Sequence, residues 1–212
     1  MSTKQKNEPR NLTDAELKRK AAFENLEDSL TEQGYRKHDL TIGVIQANLY
    51  ALILALPLII ALVALFFILH PTSSFSFNFG DILIICIAFV ILVITHEAIH
   101  GFFWGLFAKA RWHAVSFGFM VQYLTPYCTC NEPLPKYAYM IGALAPTVIL
   151  GLLPAVFGLV TGSGIWLAVG SLLILGGGGD LAIVVKLARF HPQTNNVLYL
   201  DHPYECGIVA FE

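Results

Sequence analysis

Charge is scarce in this chain. Only 13% of its 212 residues are Asp, Glu, Lys or Arg, about half the share of an ordinary soluble domain. With 56% hydrophobic residues beside it, that scarcity excludes a disordered chain, which needs the opposite balance, and an ordinary soluble enzyme. A basic excess is missing too: the net charge is -2, so nucleic acid is not an expected partner. Cysteine is sparse, with only Cys86, Cys128, Cys130 and Cys206. They are too few and scattered for a disulfide scaffold. The single residue between Cys128 and Cys130 does not match the spacing of a zinc knuckle or a thioredoxin-like motif, so both read as inert thiols. No internal repeat is visible. No signal peptide is expected, because the first apolar run begins far from Met1.

What is present is long apolar sequence. Four stretches, residues 42–69, 82–108, 138–160 and 165–188, can each cross a bilayer core of roughly 30 Å at about 1.5 Å per residue. A chain in hydrocarbon must satisfy its own backbone, so all four are predicted helices. Pro57 should kink the first, and Pro146 and Pro154 lie in the third. The expected fold is an all-α integral membrane protein with four transmembrane helices. Residues 1–39 form a cytoplasmic N-terminal segment, 40–190 the membrane domain and 191–212 a cytoplasmic tail. In the first segment Thr13-x-x-Glu16 is a capping box that starts a mostly solvated helix, and Gly34 ends it.

Loop charge sets the orientation. Residues 1–39 carry eight of the thirteen Lys and Arg, and the rest are Lys109, Arg111, Lys136, Lys186 and Arg189. The connections at 70–81 and 161–164 have none. All positive charge thus falls on one side, which the positive-inside rule makes cytoplasmic, with both termini there. Trp104, Trp112 and Trp166 lie near span ends, where aromatic belts form. Phe75, Phe77 and Phe79 alternate in an external loop and read as an interfacial anchor. Between the second and third helices, Val115, Phe117, Phe119, Val121 and Tyr123 repeat with period two, predicting a small β-hairpin-like element at the membrane surface. It either receives an extended substrate by strand addition or anchors the loop at the interface.

The second apolar stretch contains Thr95-His96-Glu97-Ala98-Ile99-His100-Gly101. Helical positions four apart share a face, so His96 and His100 can present two imidazoles to one metal ion. Glu97 is placed to take a proton from water that zinc acidifies. Ionisable groups at a helix centre in the membrane cost roughly 2.5–3.5 kcal/mol each. Three within five residues therefore point to a use, with a polar cluster gluing helices as the bland alternative. A catalytic zinc usually has a third protein ligand. The second and fourth helices run in the same direction, and His96 and Asp180 each lie about fifteen residues along, at matching depth. Asp180 is the only acid in its span. A partnership with Lys186 is its alternative role. Gly176 to Gly179 precede it, a run suited to close helix approach or to local unwinding beside a cavity. His113 and Glu132 are rival ligands in the loop. In the tail, Asp201-His202-Pro203 is a turn, or a source of a supporting hydrogen bond or extra ligand.

With these residues the chain resembles the putative zincin peptidase family of bacterial membrane proteins and, more distantly, the site-2 proteases that cut within the membrane. The features are His96-Glu97-Ala98-Ile99-His100-Gly101, the Tyr127-Cys128 to Pro133 stretch, Leu144-Ala145-Pro146, Gly179-Asp180, and Asp201-His202-Pro203 followed by Gly207. The resemblance implies zinc on His96, His100 and Asp180, with Glu97 as base. The chain differs from site-2 proteases in carrying Leu181 after Asp180 and Ile149 three residues after Pro146. The expected function is a multi-pass zinc metallopeptidase of the bacterial cell membrane, hydrolysing peptides or membrane-protein substrates. A related enzyme with a Glu as third ligand finds only Glu132, Glu205 and Glu212 beyond Glu97, all outside the spans. The alternative from another class is a metal-binding membrane scaffold or transporter, which has no need of Glu97.

Overall fold

A computed structural model describes residues 12–72, 78–120 and 125–212. The chain runs α1 (Asp14–Glu32), β1 (Lys37–Thr41), α2 (Val44–Leu69), α3 (Phe79–Phe107), β2 (Val115–Met120), β3 (Thr125–Cys130), α4 (Lys136–Pro146), a π-helical segment (Thr147–Leu152), α5 (Leu153–Thr161), α6 (Gly164–Gly176), α7 (Gly178–Arg189), β4 (Leu198–Asp201) and β5 (Gly207–Phe211). Among the described residues, three helical stretches are long and apolar enough to cross a membrane: Val44–Leu69, Phe79–Phe107 and Lys136–Thr161. The last is α4, the π segment and α5 in succession. A fourth arises if α6 and α7, bent by 50° at Gly177, count as one broken span. The fourth stretch is therefore not the single helix expected from residues 165–188. The glycine run interrupts it, because four residues without side chains give the helix little to hold it straight.

Elsewhere the helices follow local chemistry. The Thr13 side chain accepts from the Glu16 N–H, and Glu16 accepts from the Thr13 N–H at 2.8 Å, the reciprocal cap anticipated for α1. Asn78 and Asp81 cap α3 in the same way. Helix α2 continues through Pro57. Its buried residues Ala47, Ala51 and Ala55 lie four apart on one face, and small side chains there let neighbouring helices approach closely. A Cβ on Gly178 of α7 would meet Ala51 at 2.5 Å.

The fold is not all-α. β2 and β3 form the anticipated hairpin, pairing antiparallel from Val115 with Cys130 to Met120 with Thr125. Val121 and Tyr123, and Phe75 and Phe77 of the connection between α2 and α3, lie outside the described residues. A second sheet, order β1-β5-β4, was not anticipated. It pairs Lys37 with Phe211 and Thr41 with Gly207, so the segments flanking the helices meet in one structure. Helix α1 lies on this sheet through Phe23 and Leu30, which are buried with Leu200, Val209 and Phe211. Apart from these two and Glu16, the described residues of α1 are exposed or half-buried, the mostly solvated helix that its sparse apolar residues suggested. Trp104, expected in an aromatic belt, is instead buried in the core beside Tyr139, because its indole N–H finds the Tyr139 carbonyl at 3.2 Å.

Candidate metal centre

His96 and His100 lie on one face of α3, both buried, with ring centroids 4.8 Å apart. Asp180 stands in the first turn of α7, where the helix N-terminus favours a carboxylate. The bend at Gly177 aims that turn at α3. Asp180 Oδ2 is 3.1 Å from His96 Nε2 and 3.4 Å from His100 Nε2. One ligand atom from each of the three residues lies within 4.8 Å of the others, and no other such group of three occurs among the described residues. Two imidazole nitrogens and a carboxylate oxygen are zinc donors, and three protein ligands leave room for a reactant. The donor set therefore fits the ion.

The tautomer of His100 is set by its surroundings. Its Nδ1 is 2.8 Å from the Gly142 carbonyl oxygen, so Nδ1–H donates there and leaves the Nε2 lone pair free. That carbonyl is available because Pro146, four residues on, has no N–H to bond it. The indole of Trp104 stacks on the His100 ring at 5.0 Å. It occupies the space that a side chain on residue 142 would need, so only glycine fits there.

Glu97, partly buried, is within electrostatic reach of His96, His100 and Asp180, and the backbone of Cys128 in β3 lies beside its carboxylate. The hairpin thus borders Glu97. The next alternate residue on the same edge, Cys130, gives its N–H to Asp201 Oδ2 at 2.8 Å. Asp201 also accepts from the Tyr139 hydroxyl. The tail acid is therefore neither a free turn residue nor in the ligand cluster: it ties β4 to β3 and α4. Burial pushes its carboxyl up to about 6. His202 makes the turn into β5, its Nδ1 accepting from Glu205 N–H at 3.0 Å.

The rival ligands are accounted for. Glu132 accepts from the N–H groups of Lys109 and Ala110, closing the turn after α3. His113 is exposed on a short 3-10 turn. Lys186 donates to the Thr41 carbonyl, so it is not the partner of Asp180. Cys128 and Cys130 are buried, and burial raises both thiols, Cys130 to about 12, as befits inert groups. Three participants escaped sequence reasoning: the Gly142 carbonyl, Tyr139 and Thr147. Thr147 has a buried hydroxyl without a hydrogen-bond partner among the described residues. The one available signal was proline in an apolar helix, which marks freed carbonyls and disturbed hydrogen bonding nearby.

Residues 89–194, which include His96, Glu97, His100 and Asp180, match the family model described as putative zincin peptidase. The chain belongs to that family. The match spans α3 from residue 89 onward, the hairpin, α4 to α7 and the residues just after. It stops short of the terminal sheet that holds Asp201. No curated protein and no solved structure matches the chain.

Proposed function

We propose that this member of the zincin peptidase family is a multi-pass membrane zinc metallopeptidase that hydrolyses peptide bonds of peptides or membrane-protein segments. The observation that carries the reading is the convergence of His96 Nε2, His100 Nε2 and Asp180 Oδ2 beside Glu97 of the same helical turn. His96, His100 and Asp180 would hold the ion. When bound, zinc supplies Lewis acidity, polarising a carbonyl and acidifying water. Glu97 takes a proton from water as the water oxygen bonds to the carbonyl carbon. It then delivers that proton to the amide nitrogen as the C–N bond breaks. Asp180 and the Gly142 carbonyl keep both imidazoles oriented.

The apolar helices are read as spanning the bacterial cell membrane, with both termini cytoplasmic. Two facts support this. All thirteen Lys and Arg fall at one end of the bundle by sequence. The pairing of β1 with β5 also brings the flanking segments together at one end. The lipid bilayer is then the partner of the exposed apolar surfaces of α2 and α3. The substrate is read as an extended segment adding to β2, whose outer edge has no strand neighbour among the described residues and whose Phe117 and Phe119 are exposed.

The test is Glu97→Gln in detergent-purified protein. Retained zinc with cleavage of a membrane-protein substrate abolished supports the peptidase. Cleavage surviving the substitution overturns it, and a metal carrier or scaffold would be indifferent to the change.

A further inference from the structure

The hydroxyl of Thr147 is a buried donor without an acceptor. The residue is 6% exposed, and its Oγ1 has no hydrogen-bond partner among the described residues. A helical threonine commonly returns its hydroxyl to the carbonyl four residues back. Thr147 does not, although it opens a helical segment. It stands directly after Pro146 and begins the π-helical stretch Thr147–Leu152, a local widening that often marks functional positions. Buried hydroxyls without partners are rare because they are destabilising, so this one calls for an acceptor that the described residues do not supply.

Its position says what that acceptor is. A Cβ placed on Gly177 would overlap Thr147 Oγ1 and come within 3.4 Å of His96 Cε1. The hydroxyl therefore packs directly against Gly177, at the helix break that carries Asp180 and beside the ring of His96. Glycine at 177 leaves the space that the hydroxyl fills.

We propose that Thr147 is a catalytic residue of the peptide hydrolysis proposed above, and the inference rests on that reading. Its Oγ1–H donates a hydrogen bond to the carbonyl oxygen of the scissile amide. When water adds to the carbonyl carbon, the C=O π pair moves onto that oxygen, and the hydrogen bond strengthens without transfer of the threonine proton. When the C=O bond re-forms, the C–N bond breaks and the proton held by Glu97 passes to the nitrogen. The products are a carboxylic acid and an amine. The hydroxyl thereby stabilises developing negative charge, as an oxyanion-hole donor does.

The experiment uses full-length protein in detergent, comparing wild type, Thr147→Val and Thr147→Ser. Zinc content and thermal unfolding are measured first. Acetohydroxamate, a zinc chelator that offers a carbonyl oxygen whatever the peptide specificity, is then titrated into the cobalt-loaded forms and read by visible absorption. Valine keeps the shape and removes the orphan hydroxyl. The T147V variant should therefore hold the metal, melt no lower than wild type, and bind acetohydroxamate roughly ten- to hundredfold more weakly. T147S should recover most of the affinity. Should valine prevent folding, Thr147→Ala is read in the same way. Unchanged affinity in a metal-loaded valine or alanine variant overturns the proposal alone. Loss of the metal in those variants also overturns it, because the hydroxyl would then be holding the centre. Wild type without metal refutes the underlying peptidase reading, a result distinguishable from both.

Discussion

The His100 ring and the Gly142 carbonyl are joined at 2.8 Å, and Pro146 is the reason that carbonyl is available. An ordinary residue at 146 would bond it within the helix. Proline cannot, so a backbone group of α4 orients an imidazole of α3. Many metal-binding histidines use a carboxylate or carbonyl in this way, and losing such a partner typically weakens metal affinity by about 10–100-fold.

Replacing Pro146 by Ala should restore the N–H that competes for the Gly142 carbonyl. We expect a zinc affinity reduced by about 10–100-fold with the helix itself no less stable, measured by chelator competition and thermal unfolding. Equal zinc affinity in P146A would show that His100 does not depend on the freed carbonyl.

The ligand set has a sharper signature. His96→Ala, His100→Ala and Asp180→Ala should each lose zinc, measured by elemental analysis. Glu97→Gln should keep it while turnover falls by about 10²–10⁴-fold, the usual contribution of a general base. Zinc retained in D180A would place the third ligand elsewhere.

Gly142→Ala tests the packing behind His100. The added methyl would overlap the Trp104 indole, and overpacking of this kind costs about 1–3 kcal/mol. The variant should melt lower, and the paired change Gly142→Ala with Trp104→Phe should regain part of the loss, since the smaller ring leaves room. A G142A variant as stable as wild type would mean that the indole is free to move.

Asp201 should make stability pH-dependent. Its carboxyl is raised to about 6, against about 3.9 in an unfolded chain. Between those values the folded protein binds a proton that the unfolded chain has released. The stabilisation from this group is thus full below about pH 4 and lost as pH rises through 6. Burial is the main cause; Asp180 also raises the value, whereas Tyr139, the Cys130 N–H and His100 oppose the rise. The difference in melting temperature between wild type and Asp201→Asn should therefore shift in favour of wild type as pH falls from 7 to 5. A flat difference would mean that the carboxylate is solvated.

Much of the centre was legible because a helix has a fixed rise. His96 and His100 four apart, and Asp180 about as many residues into its apolar stretch as His96 is into its own, follow from about 1.5 Å per residue along a helix. The hairpin was legible from its period-two pattern, since side chains of a strand alternate between faces. The terminal sheet was not. It joins Lys37 to Phe211, and nothing local in either strand names a partner so distant in the chain. The inward turn of Trp104 was equally hidden, because near a span end an indole serves an interface or a core equally well.

The sequence by itself thus determined the apolar helices, the histidine pair with its neighbouring acid, and the acidic residue of the fourth apolar stretch that joins them, since these depend on composition and helical periodicity. Tertiary structure decided where α6 breaks from α7, which carbonyl orients His100, that the hairpin borders Glu97, and that Asp201 ties the tail to the hairpin. Those depend on backbone groups, identical at every position until packing brings one of them to a particular side chain.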